Sequence, residues 1–239
     1  MDTKLIIANL RGSVFIKAIP FHWEVLKVLK KVIPGYSPIL VGPAMPSIFG
    51  NPVTPTQQDW AMVSSDGSTK LIFYQQSNKI DFIYDMNIEY QEKVFNQFAD
   101  SCQGIFLAIM EYSQREVTRL AISPTFSFPN PESYQEVISQ KMATGTFKEA
   151  TASTTEYSQV FRPRVKINGK QILMNFLSKF YIESTLVPNA TPTIVEKPSL
   201  RLDINTYPIK ELNFDKQTML DFFKQSDSYI NEFLTFYVS

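Results

Sequence analysis

One cysteine, one histidine and eight glycines in 239 residues remove most of the familiar chemistries at the outset. Cys102 alone permits no intrachain disulfide, which is compatible with a reducing compartment. One His and one Cys cannot furnish the usual zinc-ligand sets. A Ser-His-Asp or Cys-His mechanism would have to run through His22. That residue sits in Phe21-His22-Trp23-Glu24 at a helix start and reads as structural or surface. The glycines form neither GxGxxG nor GxxxxGK followed by Ser or Thr, so backbone cradling of nucleotide phosphates is disfavoured. A charge surplus is also lacking. With 23 basic and 23 acidic residues, a nucleic-acid partner is disfavoured unless a local patch supplies what the whole chain does not. No stretch approaches the ~18–20 apolar residues of a spanning helix. The run Leu5–Leu10 is too short for a signal-peptide core. A cytoplasmic protein with no membrane segment is the expectation.

What is present is bulk for a sheet-rich interior, with 19 Phe and 11 Tyr. Leu5–Ala18 reads as a strand with a turn or bulge at Arg11-Gly12-Ser13. Val25, Leu26, Leu29, Val32 and Ile33 fall at helical spacing, and Pro34-Gly35 stops that helix. Residues 34–57 carry six prolines and three glycines yet keep Ile39, Leu40, Val41, Ile48 and Phe49. A long loop of this kind is often docked or functional. Trp60–Ser64, Lys70–Gln75 and Lys79–Asp85 form a three-stranded meander turning at Asp66-Gly67. In the third strand Ile80, Phe82 and Tyr84 face one way, and Asp81, Ile83 and Asp85 the other. Glu89–Ser113 follows as a helix whose stripe runs from Val94 and Phe95 to Ile109.

The same order then recurs. Glu116–Ile122 reads as a strand, and Asn130-Pro131 opens a helix with Tyr134 inward. Residues 143–156 are rich in Thr, Ser and Ala and read as mobile. Tyr157–Ile167 and Lys170–Glu183 form a hairpin around Asn168-Gly169. Val187–Pro198 reads as a second proline-rich loop, Ser199–Tyr207 as a strand, and Asp215–Tyr237 as the closing helix. The fold class is therefore α+β: two pseudo-repeated β-α-β-β-β-α halves, 1–113 and 114–239, within one domain spanning 1–239. Their strands would form a mainly antiparallel curved sheet with the long helices on one side. The seam between the halves is the natural place for a groove.

The segment Leu200-Arg201-Leu202-Asp203-Ile204-Asn205-Thr206-Tyr207, followed by a long helix ending near Phe233, resembles the close of a sporadically distributed bacterial family. Its members are about this long and bring no established activity. The Trp60 hairpin and the strand at Arg119-Leu120-Ala121-Ile122 sit where that family's counterparts would. This chain departs from the family pattern at Ser123-Pro124-Thr125-Phe126, where an Arg-Tyr-x-Asn run is usual, so no role carries over there. The resemblance implies an accessory component of a bacterial mobile or defence system.

Arg162, Arg164 and Lys166 alternate onto one strand face, with Pro163 marking a sheet edge. Together with Lys170 and, opposite them, the later Arg201 they form the leading basic surface, and Ile48 and Phe49 are the leading apolar docking residues. Asp81 and Asp85 share a face but lie roughly 13 Å apart along a strand, too far for one ion or an acid/base pair. The leading expectation is a non-enzymatic binding or adaptor protein with a protein partner, no metal and no cofactor. The alternatives are a small-ligand sensor with an aromatic pocket under the helices, and a nucleic-acid-acting enzyme using dispersed carboxylates. The residues do not fix a homo-oligomeric state.

Overall fold

The computed structural model describes residues 5–18, 23–41, 59–129, 134, 157–187, 193–208 and 213–238. Among the described residues, eleven strands and three helices follow one another. They are β1 (Ile6–Ile16), α1 (Trp23–Val32), β2 (Ser37–Leu40), β3 (Trp60–Val63), β4 (Thr69–Tyr74) and β5 (Lys79–Glu89). Next come α2 (Glu92–Ser113), β6 (Val117–Ile122), β7 (Thr125–Ser127), β8 (Tyr157–Phe161), β9 (Arg164–Ile167), β10 (Lys170–Val187), β11 (Thr193–Thr206) and α3 (Lys216–Val238). The architecture is α+β, and every strand pairing is antiparallel. The strand order is β2-β3-β4-β5-β1-β6-β11-β10-β8. β7 joins β1 to β11, and β9 pairs with β10.

Local chemistry explains the turns. Asn168 and Gly169 both take positive φ, as a two-residue hairpin turn requires. Asp66 accepts from the Ser68 N–H at 3.0 Å and from the Ser64 hydroxyl at 2.6 Å, which fixes the β3–β4 turn around Gly67. Helix α2 ends at Gln114, whose left-handed backbone lets its N–H reach the Met110 carbonyl. Helix α3 starts on Asp215, whose carboxylate accepts from the Thr218 N–H at 2.7 Å.

The helix stripes bury as their spacing dictates. Phe95, Phe98, Cys102, Ile105, Phe106 and Ile109 of α2 are buried, as are Met219, Phe222, Phe223, Ile230, Phe233 and Leu234 of α3. These meet Leu10, Val14, Ile80, Phe82, Leu120, Leu200, Leu202 and Ile204 of the sheet in one hydrophobic cluster. At Gly12, in the middle of β1, the helices approach the sheet closely. A Cβ there would fall inside the Cys102 sulfur and 3.4 Å from Phe223 Cε1. Both long helices therefore lie over the same face of β1.

Several expectations need correction. Arg11-Gly12-Ser13 is neither turn nor bulge but regular strand, and the irregularity falls between Ile7 and Asn9. Part of the first proline-rich segment is β2, an edge strand that tolerates Pro38. Much of the second is ordered too, because β11 begins at Thr193 and pairs with β10 as far as Val187. The strand expected at Tyr157–Ile167 breaks at Arg162-Pro163, although the Pro163 carbonyl still accepts from the Met174 N–H at 2.9 Å. His22, Ile48, Phe49, Asn130-Pro131 and residues 143–156 lie outside the described residues. Among the described residues no helix is long and apolar enough to cross a membrane.

Candidate functional site: the sheet face opposite the helices

Cross-strand partners share a face. Leu10, Gly12 and Val14 of β1 point toward the helices, so Asn9, Arg11, Ser13 and Phe15 point away. The register then assigns their neighbours. Asp81, Ile83 and Asp85 of β5 lie beside them on one flank. Arg119 and Ala121 of β6, Asn205 of β11 and Asn175 of β10 lie on the other. Arg201, Lys179 and Ser158 continue the same face further along. No described helix packs on this side.

Its charges are organised in small networks. Asp81 is fully buried. The Ser13 hydroxyl donates to it at 2.7 Å, and the Lys79 ammonium lies 2.9 Å away, so its charge is compensated. Asp85 belongs to a separate network, accepting from Asn9 at 2.6 Å and from Lys70 at 2.7 Å. Asp203 accepts from Ser123 and from Asn205, each at 3.1 Å. The three carboxylates are thus engaged one by one rather than brought together. Arg119 stacks over the Phe15 ring at 4.9 Å.

A cavity of about 320 Å³ opens on this face, lined by Ala8, Asn9, Arg11, Ser123, Thr125, Tyr181 and Arg201. Two breaks in regular strand geometry produce it. β1 shifts register between Ile7 and Asn9, and the strand beside it is interrupted between β6 and β7 at Ser123-Pro124. Proline has no N–H for the ladder, so the chain is pinned by its neighbours. The Ser123 N–H donates to the Arg11 carbonyl at 2.7 Å, and the Leu202 N–H to the Pro124 carbonyl at 3.0 Å. Irregularities of this kind re-aim side chains next to binding sites. The lining comes from both sides of residue 113, as a groove between the expected halves would require.

Two arginines line this space. Arg11 lies 3.9 Å from Asp81, beyond hydrogen-bonding distance, and its Nε is buried with no acceptor. Arg201 is exposed and has no hydrogen-bond or ion-pair partner among the described residues. No carboxylate, histidine or cysteine is among the described residues that line the cavity. The arrangement can hold an anion, but its lining offers no general base of the usual kinds.

Arg162, Arg164 and Lys166 share this sheet face but at its edge. Arg162 pairs across with Asn175, donating from Nε to the amide oxygen at 3.3 Å, and stacks over Tyr207 at 5.5 Å. Arg164 and Lys166 are exposed. Arg201 is not part of that cluster. It lies two strands inward, roughly 10 Å across, and four register positions along, roughly 13 Å. Reading from sequence missed Asn9, Arg11, Ser123, Thr125 and Tyr181. The available signal was the period-two polar set Asn9, Arg11, Ser13 inside an apolar strand. No protein-family model matches this chain, and no curated protein matches it either.

Proposed function

We propose that this is a non-enzymatic binding protein that takes a protein partner along the β8–β9 edge, the partner being an extended segment with acidic and apolar side chains. The observation that carries this reading is the composition of that edge. β8 ends the strand order, and Val160 and Phe161 on it are 51% and 40% exposed. Arg162, Arg164 and Lys166 follow directly. As the last strand in the order among the described residues, β8 offers an apolar pair for burial beside cations that select acidic residues.

The test is capture of the tagged protein from its own cells, beside the Arg162→Glu/Arg164→Glu variant. A stoichiometric protein partner should be retained by the parent and lost by the variant, with unchanged melting of the variant. Equal capture by both would remove this edge from consideration.

The duplicated architecture belongs to the same proposal. Reading outward from the β1–β6 pair, the order is β5-β4-β3 on one side and β11-β10-β8 on the other. Each half closes on a long helix, which supports two related halves, their sheet curved around the helices, in one domain. The accessory bacterial role rests on the family resemblance alone. A second reading, the small-ligand sensor, is favoured by the cavity, though the cavity lies on the face away from the helices rather than in an aromatic pocket beneath them. The enzyme reading loses ground because Asp81, Asp85 and Asp203 sit in separate networks.

A further inference from the structure

We infer that the cavity between Arg11 and Arg201 is a binding site for the phosphate group of a small phosphate monoester. The argument begins with an imbalance. Two arginines line one cavity of about 320 Å³, and none of the other described residues that line it is negatively charged. Like charges brought together in a partly buried space are unfavourable unless an anion neutralises them. The carboxylates that border the lining are each engaged: Asp81 by Ser13 and Lys79, at 3.9 Å from Arg11, Asp85 by Asn9 and Lys70, and Asp203 by Ser123 and Asn205. Arg201 is exposed and has no ion-pair partner among the described residues, and a bound oxyanion supplies one.

The donor set selects the kind of anion. Arg11 comes from β1 and Arg201 from β11, on opposite sides of the β6–β7 break. The hydroxyl residues Ser123, Thr125 and Tyr181 line the same space. One guanidinium fork satisfies both oxygens of a carboxylate, whereas two forks and the Thr125 hydroxyl match the oxygens of a tetrahedral dianion. The volume exceeds what a bare phosphate fills and sits at the small end of ligand pockets, which leaves room for a compact organic group. The cavity is separate from the β8–β9 edge, so this site and partner docking can fail independently. A ligand here would make the binding protein a ligand-responsive one.

The experiment is isothermal titration calorimetry on the full-length protein, at constant ionic strength, with a sugar phosphate, a nucleoside 5′-monophosphate, inorganic phosphate, sulfate and acetate. Saturable one-to-one binding is expected for at least one phosphate monoester, tighter than for inorganic phosphate, sulfate or acetate. Arg201→Gln, at an exposed position, should fold normally and weaken that binding about tenfold or more. Arg11→Gln should weaken it similarly, and Arg162→Glu should leave it unchanged. Absence of binding by every phosphate probe up to about 10 mM would overturn the site. So would equal weak heats from all five anions, or binding that survives Arg201→Gln and Arg11→Gln. Tight binding of an acidic peptide or single-stranded nucleic acid that Arg201→Gln abolishes, with no small phosphate bound, would also overturn it.

Discussion

At Gly12 the sheet, α2 and α3 meet closely, and what matters there is the missing side chain. Its φ is not among the positive values taken by Gly35, Gly67 and Gly169, so the requirement is space rather than backbone freedom. Gly12→Ala should destabilise by about 1–3 kcal/mol, because the added methyl meets the Cys102 sulfur in a close-packed interior. Removing that sulfur should relieve most of the cost, since Cys102 Cβ lies at an ordinary 3.5 Å from the new atom. A double-mutant cycle with Cys102→Ala, read by urea denaturation, should therefore show strong favourable coupling. Purely additive costs would mean that the strain lies elsewhere. The sequence labelled Gly12 as turn punctuation, because a glycine kept for close approach and one kept for positive φ look alike without the partner helices. Cys102 was more legible. Its place on the α2 stripe implied a buried thiol, and burial does push its pKa up, keeping it protonated and unreactive.

Among the elements, helix α3 depends on its first contact. Asp215 accepts from the Thr218 N–H and hydroxyl, each at 2.7 Å, and its other oxygen lies 2.6 Å from the Lys170 ammonium. The Lys170 bond, then the Thr218 bonds, hold its carboxyl well below the usual carboxylate range. Asp215→Ala should cost about 1 kcal/mol at neutral pH, the ordinary worth of an N-cap. Asp215→Asn should cost less, since an amide oxygen still caps and the exposed Lys170 pair is screened by solvent. The sign of the pH dependence follows from the depressed value. The ionised carboxylate stabilises the fold above the unfolded value near 4 and ceases to do so as pH falls through the folded one. The gap between parent and Asp215→Asn should therefore shrink on acidification, measured by urea melts at pH 7 and at stepwise lower pH. A gap that widens in acid would contradict the assignment.

Helices such as α3 were readable because an amphipathic stripe and its cap are local signals. The strands β2 and the start of β11 were not, since proline at an edge looks the same in sequence as proline in a loop. The cavity was hidden for a related reason. Its residues come from four separate segments, and only the register between β1, β7, β10 and β11 brings them together.

At the scale of the whole molecule, that register makes the two parts of the chain interdependent. β1 belongs to the first part by sequence, yet it pairs on one side with β5 and on the other with β6 and β7. Gly12 lies beneath α2 and α3 together, and Phe106 of α2 packs on Phe223 of α3 at 5.5 Å. A fragment ending at residue 113 would expose one edge of β1 and much of the apolar stripe of α2. It would also lose the partners of Leu10, Val14 and Phe106. With net stabilities of only about 5–15 kcal/mol for whole domains, exposure on this scale is not survivable. The full chain should then unfold in a single cooperative transition, coincident by far-ultraviolet and near-ultraviolet circular dichroism. The 1–113 fragment should show no cooperative melt and a collapsed amide proton spectrum. The cavity makes the same demand from the functional side, because Asn9 and Arg11 come from one part and Ser123, Thr125, Tyr181 and Arg201 from the other. A fragment that melts cooperatively would mean that each part carries its own core. The pairing of β1 with β6 would then be an interface between folded units, and the cavity a feature of how those units dock.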